Sequence, residues 1–231
     1  MPPKRNSKSE PSALLKKYLF FYNLIQLIGW SYIAYLFVTF YINQEYRKGK
    51  LWNYVFIPVV TFQVAAILEI IHVAVGFVKT SIMITTMQIL FRILNAFGVF
   101  NLLPANIDTI AVPMTLFAWC GAEITRYAFH IFKELNFVPY VVTWLRYSAF
   151  IVLIPIGVGG ELLGQYMIQS LYANKWTYKI PNVNITVGYR HFIILIMLVT
   201  LQGVVTMYRH LFQQRKKALG GAPSTTRVKS K

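Results

Sequence analysis

Between Trp144 and Leu163 the chain reads WLRYSAFIVLIPIGVGGELL, an apolar run that carries groups able to do chemistry. Arg146 and Tyr147 open it, Glu161 lies near its end, and Pro155, Gly157, Gly159 and Gly160 interrupt it. Its length is about that of a helix crossing a bilayer. An ionisable side chain inside such a span is a functional candidate, because an unpaired charge in hydrocarbon is costly. Pro155 lacks a backbone donor and should kink the helix. The glycines let another helix or a ligand approach the backbone closely. Ile154 and Glu161 are seven residues apart, so they share a helix face about 10 Å apart along the axis. Tyr147 lies a further seven back on that stripe. These residues leave two readings open: a Pro-kinked packing helix whose glutamate is satisfied by a neighbour, or a functional site built on Glu161.

The elements that must position this stretch are apolar as well. The 231 residues are 56% hydrophobic, with a mean hydropathy of +0.51, which describes an integral membrane protein rather than a soluble domain. Six spans are expected, at about 18–42, 54–78, 81–103, 110–132, 144–163 and 191–207, giving an all-α membrane bundle over residues 18–207. Basic tails flank it at 1–17 and 208–231, the first expected to be disordered. A net charge of +16 would suggest nucleic acid in a soluble protein, but here the excess sits largely at the two ends. Basic ends beside apolar spans read as cytosolic segments next to anionic lipid, so both termini are expected in the cytosol and no nucleic-acid partner is expected. The first span is too long and lacks the ending of a cleaved signal, so it should remain as an anchor. Asn184-Ile185-Thr186 is a glycosylation sequon, expected to be little used so close to the sixth span. The end Arg227-Val228-Lys229-Ser230-Lys231 reads as a weak retrieval signal or as a solvated basic tail. The lone Cys120 lies in an apolar run, so neither a disulfide framework nor a metal cluster is expected.

Trp144, Arg146, Tyr147, Leu153, Pro155, Gly157 and Glu161 together resemble the signature of the very-long-chain 3-hydroxyacyl-CoA dehydratases, first described as protein-tyrosine-phosphatase-like proteins. The resemblance extends over about 18–219 through Glu69-Ile70-Ile71-His72 with Gly76, Glu123-Ile124-Thr125-Arg126-Tyr127, Ile180-Pro181-Asn182, and Gln213 to Lys217. It implies dehydration of a 3-hydroxyacyl-CoA to the trans-2-enoyl-CoA, the third step of fatty-acid elongation, in the endoplasmic reticulum membrane. The acyl-CoA would arrive from the cytosol, and the other elongation enzymes would be partners. The family's catalytic pair is a tyrosine and a glutamate, which fall here on Ile154 and Glu161. This chain departs from the family at the first of the two. No cofactor is expected, since dehydration involves no redox change and no metal-ligand set is present.

The reaction removes a C2 proton and a C3 hydroxyl, so it needs a base near the thioester and an acid for the leaving hydroxide. Glu161 fits one role and Ile154 cannot donate a proton, so a slow dehydratase is expected. Tyr127 and Glu123, on the fourth span, could stand closer to the gap. Arg126 and Arg146 lie nearer the cytosolic end, where arginine could bind the phosphates of coenzyme A or simply snorkel to the interface. The substrate head would bend into the space at Gly157. Counting residues from the span ends puts Glu69, Arg92, Glu123 and Ile154 at one level, either as a register-fixing polar layer, with Arg92 paired to Glu69, or as a cavity wall. A phosphatase is excluded on chemistry: Val73 stands where the thiolate would be needed and Lys79 where the arginine would be. His72 is then expected to be a hydrogen-bonded packing residue. A non-catalytic member that binds acyl chains or scaffolds the elongation complex is the alternative. A small-solute transporter is disfavoured because no inverted repeat with paired broken helices is visible.

Overall fold

The computed structural model describes residues 13–47, 50–104, 109–173, 175–179 and 186–219. The described residues form eight α-helices: α1 (Ala13–Ile42), α2 (Leu51–Ala65), α3 (Ile67–Ala74), α4 (Ile82–Leu94), α5 (Ala111–Glu134), α6 (Tyr140–Ser148), α7 (Phe150–Leu171) and α8 (Tyr189–Leu219). A two-stranded antiparallel hairpin, β1 (Thr177–Lys179) with β2 (Thr186–Gly188), stands between α7 and α8. The sequon, the Ile180-Pro181-Asn182 segment, Asp108, the first twelve residues and the C-terminal basic end lie outside the described residues.

Among the described residues, five segments are long and apolar enough to cross a membrane: α1, the α2–α3 pair, α4 with the turns that follow it, α7 and α8. Their outward faces carry large apolar side chains such as Ile25, Ile57, Val152 and Leu198. Hydrocarbon accepts such a surface, whereas every backbone polar group must still be satisfied within the protein. α5 does not meet the same measure of apolarity, and its position explains why. It packs against α1, α2, α6 and α7. Ten of its residues are buried, among them Glu123 and Tyr127. A helix enclosed by protein need not be oily, and α5 spends that freedom on the site.

The α5–α7 contact is made by small residues. A Cβ on Gly157 would lie 2.7 Å from the Cβ of Ala118, and one on Gly160 would lie 2.5 Å from Thr115 Oγ1 and 2.7 Å from the Ala111 carbonyl. Only bare backbone allows the two helices to come this close. Gly157 is therefore filled by α5 and is not the open gap expected for a substrate head.

Three irregularities shape the bundle. The expected fifth span is not one helix: it is interrupted at Ala149, between α6 and α7, and Tyr147 packs edge-on to Phe129. Pro155 sits inside α7 without ending it. Proline leaves the carbonyl four residues back without its helical donor, and the Tyr208 hydroxyl of α8 donates to that carbonyl, Ile151 O, at 3.3 Å. A single π-helical turn at Asn95–Val99 follows α4. It frees the Gly98 carbonyl, which the Tyr189 hydroxyl takes up. Such bulges gather at functional sites. The outer helices also run past the expected spans: α1 starts at Ala13, and α8 continues to Leu219.

Candidate functional site

Glu161 sits in the middle of α7 and faces α4 and α5. The indole N–H of Trp119 donates to its Oε1 at 2.8 Å, and the Asn95 amide donates to its Oε2 at 3.4 Å. Asn95 is held in turn. Its amide also donates to Phe91 O at 3.0 Å, and its carbonyl accepts from Gln165 Nε2 at 2.9 Å. Asn95 and Gln165 are both buried, at 1% and 0% exposure. The π turn begins at Asn95 and thus carries the residue that touches the carboxylate. Each oxygen of the Glu161 carboxyl thus accepts one hydrogen bond. Ile154 lies two turns earlier on the same helix, half-buried.

A second polar cluster begins one step away. Arg92 lies with its guanidinium carbon 5.8 Å from the Trp119 ring and pairs with Glu123. Glu123, 3% exposed, is shared with Arg126, which bridges on to Glu69. Tyr127, 1% exposed, donates to Glu69 Oε1 at 2.5 Å, and Tyr22 donates to the same oxygen at 3.2 Å. Gln26 donates to the Tyr22 hydroxyl at 3.1 Å. His72, buried, shares a 2.8 Å hydrogen bond with Tyr18 and stands edge-on to Tyr22. The result is one polar seam through α1, α3, α4, α5 and α7. Burying charges in this way is tolerable only because each has a partner.

The expected pairing of Arg92 with Glu69 is not what forms. Arg92 turns to Glu123, and Arg126 takes Glu69. Residue counts grouped Glu69, Arg92 and Glu123, which the ion pairs do link, but the rotation of each helix about its axis was not legible. Arg126, Glu123 and Tyr127, expected beside the substrate, are committed to one another and to Glu69. Tyr127 in particular has its proton engaged with a carboxylate. Arg146 differs: on α6, half-buried, it makes no hydrogen bond or ion pair among the described residues. Trp119 and Gln165 escaped sequence reasoning, since neither stands out in an apolar helix. Asn95 is a polar residue within the expected third span, and nothing in the sequence ties it to Glu161.

The fold and the seam together define a multi-pass membrane protein with a hydrogen-bonded carboxylate inside its helix bundle. A family model described as protein tyrosine phosphatase-like protein, PTPLA, matches residues 63–221. The chain is 35% identical over 215 residues to the very-long-chain (3R)-3-hydroxyacyl-CoA dehydratase 2 of Mus musculus, covering 92% of this chain and 84% of that protein. It is 34% identical over 211 residues to the very-long-chain (3R)-3-hydroxyacyl-CoA dehydratase hpo-8 of Caenorhabditis elegans, covering 90% and 96%. It is 32% identical over 212 residues to the very-long-chain (3R)-3-hydroxyacyl-CoA dehydratase PASTICCINO 2 of Arabidopsis thaliana, covering 90% and 95%. No solved structure matches. The chain belongs to the PTPLA family and is a homologue of the very-long-chain 3-hydroxyacyl-CoA dehydratases.

Proposed function

We propose that the chain is a hydro-lyase of the endoplasmic reticulum membrane that removes water from very-long-chain 3-hydroxyacyl-CoA within fatty-acid elongation. The observation that carries this reading is Glu161, at the glutamate of the family motif, held between Trp119 and Asn95. In this role Glu161 takes the C2 proton, the C2–H electron pair forms the new double bond, and the C3–O bond breaks with loss of hydroxide. A donor must then complete the water. With Ile154 on that face there is no phenolic proton, so the protonated Glu161 returns its own to the departing hydroxide. General acid catalysis typically contributes 10²- to 10⁴-fold, and the reaction runs slower by a factor of that order. Arg146, without a hydrogen bond or ion pair among the described residues, would take the thioester end of the substrate or its nearer phosphates. The Arg92–Glu123–Arg126–Glu69 chain fixes the register of the helices around the site. No cofactor is required by the chemistry.

The same proposal includes the topology. α5 makes a sixth crossing, both termini are cytosolic, and α1 and α8 present their basic ends to that side. Incubating the purified protein with a very-long-chain 3-hydroxyacyl-CoA tests the activity. Enoyl-CoA should appear and should vanish in Glu161→Ala at equal expression. A second reading, an acyl-CoA-binding or scaffold member of the elongation complex, is favoured by Ile154 alone. It becomes the better account if substrate binds and neither the native chain nor Ile154→Tyr forms product.

A further inference from the structure

A groove of about 580 Å³ opens between α6 and the end of α8, lined by Tyr140, Trp144, Phe212, Arg215, Lys216 and Leu219. It lies at the end of the bundle where α6 begins and α8 stops, the end also reached by Lys133 at the close of α5. Its lining combines two kinds of group. Trp144 and Tyr140 are exposed rings. Arg215 and Lys216 are adjacent cations, and Arg215 is pre-set: its Nε donates to Ser148 Oγ at 3.2 Å, and Ser148 is buried. Both terminal nitrogens of that guanidinium have no hydrogen-bond or ion-pair partner among the described residues. Phe212 is fixed by stacking with Tyr208 and an edge contact with Phe150. No acidic side chain lines the groove.

We infer that this groove holds the adenosine 3′-phosphate 5′-diphosphate end of a coenzyme A thioester, with the base against Trp144 or Tyr140 and the phosphates on Arg215 and Lys216. A planar base on an aromatic side chain and a phosphate on a guanidinium fork are pairings with clear physical grounds. Trp144 lies on α6, 17 residues before Glu161 on α7, so the two are at most about 25 Å apart along the axis, the value for an unbroken helix. The nucleotide end of the ligand would thus sit at the bundle end while its thioester, at the far end of the pantetheine arm, reaches the carboxylate in the interior. Arg146, two residues on from Trp144, points to a different side of α6 and remains for the stretch between. The inference rests on the acyl-CoA reading of the site, and it adds where the nucleotide is held.

Binding without turnover separates the two. The full chain in phosphatidylcholine nanodiscs is titrated with a very-long-chain 3-hydroxyacyl-CoA and, in parallel, with the same acyl group on pantetheine, which lacks the nucleotide. Arg215→Gln and Trp144→Leu should each weaken the CoA thioester roughly tenfold, the size expected for one lost charge-assisted contact, and leave the pantetheine thioester unchanged. Adenosine 3′,5′-bisphosphate alone should compete with the CoA thioester in the native chain and not in Arg215→Gln. Equal weakening of both thioesters, or of neither, overturns the groove as a nucleotide site while acyl-CoA binding stands. A change seen only when the nanodiscs contain phosphatidylserine reassigns the groove to an anionic lipid headgroup and also overturns it. Absence of binding by any CoA thioester removes both the groove and the acyl-CoA function.

Discussion

Glu161 is tuned by residues from two other helices. Trp119 donates at 2.8 Å and Asn95 at 3.4 Å, so the indole is the stronger partner. Trp119→Phe keeps an aromatic ring in the core and removes only the N–H. It should lower the dehydration rate on the order of tenfold, the cost of one hydrogen bond to a charged group, with little change in melting temperature. A large loss of folded protein with an unchanged rate per folded molecule would assign the indole to packing alone. Asn95→Ala should cost less rate, since its bond is longer, but more stability, because Gln165 then loses its buried partner. At this scale the sequence is legible for Glu161, Pro155 and the departure at Ile154, because those positions lie in one short motif. Trp119 is not legible: an indole in an apolar helix looks like any core aromatic until the fold supplies an acceptor.

The elements follow from two devices, glycine contacts and ion pairs. Gly160 has Thr115 and the Ala111 backbone within 3 Å of where a Cβ would lie, so Gly160→Leu has no local relief. It should separate α5 from α7 and take Trp119 away from Glu161, giving little folded protein in detergent extracts; normal yield and melting would show the contact to be looser than drawn. In the seam, Arg126 serves both Glu69 and Glu123. Arg126→Ala strands Glu69 without a cation, and breaking a buried pair in this way costs about 3 kcal/mol or more. Adding Glu69→Gln should recover part of the loss, since the uncompensated charge is gone; no recovery in thermal melts would mean the pair is effectively solvated. The sequence makes the existence of a polar layer legible, since Glu69, Arg92 and Glu123 interrupt apolar spans. It does not reveal which residue pairs with which, because a few tens of degrees of helix rotation exchange one partner for another. The break at Ala149 carries no proline or glycine of its own, and the single Gly98 inside the π turn does not distinguish that turn from an ordinary stretch of span.

Across the whole molecule, the apolar spans, the helical class and the family are legible from composition, length and motif. The role of α5 is legible only partly: its length fits a span, while its polarity makes sense once the surrounding helices are seen. Tags at both ends should be cut by protease added outside sealed microsomes, as expected for an even number of crossings with basic ends in the cytosol. Protection of either tag would exclude the sixth crossing or reverse its orientation. The proposed dehydratase would use Glu161 as its reactive carboxylate, with Ile154 standing where the family motif has a phenol. Ile154 is an apolar, half-buried side chain within an apolar helix, so the expected consequence of the substitution is lost chemistry rather than lost structure. The most direct measurement is the rate of enoyl-CoA formation from a very-long-chain 3-hydroxyacyl-CoA by the native chain and by Ile154→Tyr, each with and without Glu161→Ala. Dehydration through Glu161 predicts a gain of about 10²- to 10⁴-fold on restoring the tyrosine, and no activity in either chain once Glu161 is gone. No gain from Ile154→Tyr together with no loss from Glu161→Ala would contradict it.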